Sequence, residues 1–66
     1  MNSNTSVFVA NNNVDLAKEL IISFSMQRKD YIHRARLASV VDDRNPRIWK
    51  EVLAIADTWG IEVVNE

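Results

Sequence analysis

The chain predicts a mainly helical fold: three short helices flanked by short N- and C-terminal strands, in the order β-α-α-α-β. Three observations carry that expectation. Ala17, Leu20, Ile21 and Phe24 recur at helical spacing, and so do Ile48, Val52, Ile55, Ala56 and Trp59. The second of these runs is punctuated at both ends, by Asn45-Pro46 before it and by Gly60, the only glycine in the chain, after it. The stretches Ser6–Ala10 (SVFVA) and Ile61–Val64 (IEVV) are rich in β-branched residues and too short for helices.

Taken in order, Met1–Thr5 is polar and predicted to fray, and Ser6–Ala10 reads as a strand that Asn11–Asn13 terminates. Asn12 or Asn13 can cap the first helix by accepting a bond from its free amides, and Asp15 suits the positive end of its dipole. That helix is expected over about Val14–Phe24. Ser25 serves as its stop and as the cap of a second helix reaching to about Val41. The second helix would bury Tyr31, Ile32, Ala35, Ala38 and Val41, with Leu37 at the edge, and would present Lys29, His33 and Arg36 on the opposite side. Asp30 and Arg34 would form an ordinary i, i+4 surface pair.

Asp42-Asp43-Arg44 makes the next loop, because two carboxylates are unfavourable at the negative end of a helix. Asn45 caps the third helix. Pro46 fits its first position, where no backbone bond is lost. The third helix would bury Ile48, Trp49, Val52, Leu53, Ile55, Ala56 and Trp59, leaving Arg47, Lys50, Glu51, Ala54, Asp57 and Thr58 wet. Gly60 stands where a left-handed residue ends a helix. The last strand is expected to pair with the first, within one chain or across a dimer.

Sixty-six residues form one small domain with a thin core. The chain has no cysteine and one histidine, so neither a disulfide nor a structural zinc site is available, and no cofactor is expected. Yet 47% of its residues are apolar, with two Trp, two Phe and one Tyr. Part of that surface is expected to meet another chain, most simply a second copy in a homodimer. No signal-peptide pattern and no membrane-length apolar run stand out, so the expectation is a cytoplasmic protein with no membrane partner.

A net charge of −1 conceals an uneven distribution. Seven of the eight Lys and Arg residues lie within 28–50, where only Asp30, Asp42 and Asp43 oppose them; residues 51–66 carry four acids and no cation. Such asymmetry can mark an anion-facing side. Lys29, His33, Arg36, Arg44, Arg47 and Lys50 are the candidate contacts to the phosphates of duplex DNA, the last three placed around a helix N-terminus. The alternative is a solvated polar face.

Catalysis is not expected. His33 is the only imidazole, Asp42 and Asp43 are adjacent rather than convergent, and one glycine cannot build a phosphate loop. The aromatic residues suggest a different use. Phe8, Tyr31, Trp49 and Trp59 cannot all be hidden in so small a monomer, and Trp and Tyr are enriched where proteins bind one another. They are the candidate partner interface.

Asn45-Pro46, then Ile55-Ala56, then Trp59-Gly60-Ile61-Glu62-Val63 together resemble the C-terminal portion of Cro/repressor-type helix-turn-helix domains, over roughly twenty residues. The resemblance implies a helix-turn-helix-like arrangement upstream. One register puts Phe24-Ser25-Met26-Gln27 at the turn, without its glycine. Another puts Asp42 at the glycine position, Asp43 at an apolar one and Glu51 at a buried one. Neither register transfers base-contacting residues to this chain. The combined expectation is a non-catalytic regulator, a small dimeric DNA-binding transcriptional regulator or accessory factor. The alternative is an antitoxin-like or inhibitor-like protein that binds another protein through its aromatic surface.

Overall fold

A computed structural model describes residues 13–65. The strand expected at Ser6–Ala10, the fraying expected at Met1–Thr5 and the interface candidate Phe8 lie outside these residues. Among the described residues the protein is mostly helical with two short strands: α1 (Val14–Met26), β1 (Tyr31–His33), α2 (Arg34–Ala38), α3 (Pro46–Thr58) and β2 (Glu62–Val64).

α1 begins where its cap says it should. Asn13 Oδ1 accepts the Leu16 N–H at 3.1 Å, and Asp15 occupies the first turn. Its far end closes with two bonds, Lys29 N–H to the Phe24 carbonyl at 3.0 Å and Arg28 N–H to the Ser25 carbonyl at 2.9 Å. This is a Schellman closure with Arg28 at φ 65 in the position usually held by glycine. α3 ends in the same way. Ile61 N–H bonds the Ala56 carbonyl at 2.8 Å and Gly60 N–H the Asp57 carbonyl at 3.1 Å, with Gly60 at φ 70. At its start, Asn45 Oδ1 accepts from both Arg47 N–H and Ile48 N–H.

The segment between these helices departs from the expected helix over Ser25–Val41. α1 runs on through Ser25 to Met26, and Tyr31–His33 is a strand. β1 pairs in parallel with β2, in the register Tyr31↔Glu62, Ile32↔Val63 and His33↔Val64. The ladder is anchored by the Glu62 N–H bond to the Asp30 carbonyl at 2.8 Å. Tyr31 and Ile32, both of high β propensity, thus found partners some thirty positions away, and that pairing outweighed the local helical stripe. Only the five residues of α2 stay helical. The C-terminal strand is therefore present, but among the described residues its partner is the internal strand β1, not a terminal one.

Alternation along β1 sets the layers. Ile32 is fully buried while Tyr31 and His33 are exposed, so one face of the sheet packs against α1 and α3 and the other faces outward. Ala17, Ile21, Ile32, Leu37, Val41, Val52, Ala56 and Ile61 form the core. Three burial expectations change with the loss of the long second helix. Leu37, placed at the edge, is fully buried, and Tyr31 and Ala35, placed in the core, are exposed. On α3, Val52 and Ala56 are buried, Ile48, Trp49 and Ile55 lean on the core, and Leu53 and Trp59 are exposed, against expectation.

Asn13 N–H bonds the Val40 carbonyl at 3.0 Å, so the start of α1 lies beside the 40–46 loop and the start of α3. The C-terminal ends of both helices lie toward the other end, where the two strands begin.

Candidate functional site

Four groups of side chains carry chemistry, and the fold separates them. The first lies on the outward face of the sheet. Tyr31 and His33 leave β1 on that side, and the register brings Glu62 and Val64 opposite them. The Tyr31 and His33 rings meet edge to face, with centroids 5.6 Å apart. Together with Val63 and Asn65 they line an open groove of about 510 Å³. Trp59, 42% exposed, caps α3 just before β2 begins, at the end of the sheet where Tyr31, 46% exposed, starts β1. Parallel sheets are as a rule covered on both faces; among the described residues this one is covered on one.

The second group centres on Phe24. The Schellman closure of α1 folds Lys29 back over the residue five positions before it, bringing Nζ to 5.4 Å from the Phe24 ring centroid. Arg36, from α2, places its guanidinium carbon 5.8 Å from the same ring. Two of the six phosphate candidates thus converge, though not along one helix as expected. His33, the residue meant to lie between them, is on the outward face of the sheet.

The third group is Arg44, Arg47 and Lys50, all exposed, in the loop before α3 and on its first half. Asp42 Oδ1 accepts the Arg44 N–H at 3.0 Å and the Asp42 carbonyl accepts the Asn45 N–H, which sets the turn that leads into the helix. These cations belong to the end where α1 and α3 begin. Lys29 belongs to the opposite end.

The fourth group was missed from the sequence. Arg34 does not pair with Asp30. Its Nε donates to Asp43 Oδ2 at 2.9 Å, one terminal nitrogen donates to the Asp43 carbonyl at 3.1 Å, and the other reaches Asn65 Oδ1 at 3.4 Å. The guanidinium also stacks over Trp49, 4.6 Å from its ring. One side chain therefore joins α2, the 42–45 turn, α3 and the end of β2. Trp49 is accordingly a half-buried packing residue beneath an arginine, and of the interface candidates only Tyr31 and Trp59 are both described and exposed.

No sequence signal marks Arg34, because Asp43 and Asn65 are nine and thirty-one positions away. Glu62 and Val64 could have been found only by knowing that β2 pairs with Tyr31–His33. No helix among the described residues is long and apolar enough to cross a membrane. Among those residues no three His, Asp or Glu side chains gather where they could hold a metal ion. No protein-family model matches the sequence, and comparison with curated proteins and with solved structures finds no match.

Proposed function

We propose that this chain is a non-catalytic binding protein that engages another protein through the outward face of its sheet. The observation that carries the reading is a parallel pair of strands that, among the described residues, has helices on one face and Tyr31, His33, Glu62 and Val64 on the other. That face combines aromatic area with polar tips, the composition on which protein interfaces concentrate their energy. Trp59, exposed at the end of α3, adds aromatic surface three residues before β2 begins. Among the described residues β2 has a single neighbour, and there its other edge is open to an extended segment of the partner as a further strand.

The test compares what a tagged chain captures before and after substitution. Tyr31→Ala and Trp59→Ala are expected to keep the circular-dichroism spectrum and to lose the captured protein. Lys29→Glu with Arg36→Glu is expected to retain it. Loss with the charge-reversed variant and retention with the aromatic ones would overturn the assignment.

A DNA-binding regulator is the second reading, favoured by the convergence of Lys29 and Arg36 on Phe24. It ranks lower on geometry. α2, with five residues, is short for an element that must lie along a major groove, and seven residues separate it from α3. The exposed side of α3 mixes Arg47 and Lys50 with Glu51 and Asp57. Fluorescence anisotropy with duplex DNA separates the readings: phosphate-driven binding weakens steeply as salt rises. Absence of binding at low salt removes this one.

A further inference from the structure

The outer side of α1 is unlike that of an ordinary surface helix. Eight of the thirteen residues in Val14–Met26 are apolar, yet only Ala17 and Ile21 are buried. Val14, Leu20 and Phe24 lean on the core, which leaves Leu16, Ile22 and Met26 without a place in it. Met26 is 78% exposed and Leu16 41%. Two shallow grooves run along this side. One is lined by Ile22, Met26 and Gln27, the other by Leu16, Leu20, Arg36 and Val40, and both share Glu19 and Ser23. A helix with apolar residues round its whole circumference is normally covered on all sides.

We infer that a second copy of the chain covers this side, with the two α1 helices packed antiparallel about Ile22 and Ser23. The charges select a second copy as the occupant. Glu19 lies in the first half of the strip, while Lys29 stands over Phe24 at its other end; Arg36 approaches the same ring from α2 and lines the groove that Glu19 shares. None of the three is ion-paired within the described chain. A two-fold axis requires a patch that complements itself. Antiparallel packing meets that requirement, because Glu19 of each copy then faces the Lys29 end of the other. Ser23 at the centre lets the two backbones approach, and Leu16, Ile22 and Met26 interleave on either side. The sheet face assigned above to a partner protein is formed by other residues and remains open in such a dimer.

Sedimentation equilibrium of the full chain at micromolar concentration is expected to give the mass of a dimer. Ile22→Glu with Met26→Glu is expected to give a monomer with unchanged circular dichroism. Glu19→Lys alone should weaken the dimer by about tenfold or more, and so should Lys29→Glu with Arg36→Glu, whereas mixing the two charge variants should restore association as a heterodimer. The charge variants alter exposed side chains only, so they decide the matter if the glutamate pair fails to fold. A monomeric wild-type chain, a dimer that survives the glutamate pair, or charge variants that do not recombine would each overturn the proposal. Retention of the captured partner by a monomeric variant would show that the two surfaces act separately, and the sheet-face assignment fails or stands on its own substitutions.

Discussion

Arg34 and Asp43 are joined by a 2.9 Å bond between Nε and Oδ2, and the carbon of the same guanidinium lies over the Trp49 ring, 4.6 Å from its centre. Both side chains of the pair are about one-third exposed, so the charge attraction itself is screened. What makes Arg34 matter is the number of elements it touches. Arg34→Ala is expected to lower stability by about 1–2 kcal/mol through lost bonds and lost stacking. Asp43→Asn, which keeps an acceptor and the backbone bond, should cost less than about 1 kcal/mol. Urea unfolding of both variants checks the order, and a larger loss for Asp43→Asn would contradict it.

The two helix ends built to the same plan should respond to substitution with opposite sign. Gly60 is at φ 70 and a Cβ there would meet nothing within 4 Å, so Gly60→Ala should cost only the left-handed penalty, about 1–2 kcal/mol. Arg28 already bears that penalty at φ 65. Arg28→Gly is therefore expected to raise stability by up to about 1 kcal/mol, read as a higher urea midpoint at unchanged slope.

Asn45 Oδ1 satisfies two amides at the start of α3, and Asn13 Oδ1 satisfies one at the start of α1. Asn45→Ala and Asn13→Ala should each destabilise by about 1 kcal/mol, with the Asn45 variant the more affected. Thermal unfolding followed by circular dichroism ranks them.

Ile32 is the residue through which β1 enters the core, and it has no exposed surface. Ile32→Ala is expected to cost about 2–5 kcal/mol, enough to leave a domain of this size substantially unfolded at room temperature. Tyr31→Ala, one position away on the outward face, should change stability far less. Equal losses at the two positions would contradict the one-sided sheet.

Much of this fold was written locally. The Asn13 cap, the Asn45-Pro46 start and the Gly60 stop each act within a few residues, and α1, α3 and β2 lie within a residue or two of where those signals put them. The middle of the chain was not legible, because Tyr31–His33 owes its conformation to Glu62–Val64. A helical stripe and a three-residue strand compete for the same side chains there, and only the distant partner decides. The end of α1 was also obscured, since Arg28 does a glycine's task without being one. For the candidate site, helical periodicity put Tyr31 and Trp59 on buried faces and the structure exposes both, in line with more aromatic residues than a thin core can hold. The expected Lys29, His33 and Arg36 arc depended on the helix that does not form. The pairing of Arg34 with Asp43 depended on a turn whose direction no nearby residue announces.

The parallel ladder has a further consequence for how the molecule is made. Joining residue 31 to residue 62 closes a loop of some thirty residues, and the entropy of that closure must be met before any strand contact rewards it. α1 and α3 draw their backbone bonds from neighbours in the chain, whereas the ladder draws its own from residues some thirty positions apart. The outward surface of Tyr31, His33, Glu62 and Val64 is thus assembled from two distant stretches, and neither half of the polypeptide could display it alone. A ligand of that surface would recognise the finished molecule and pass over its precursors.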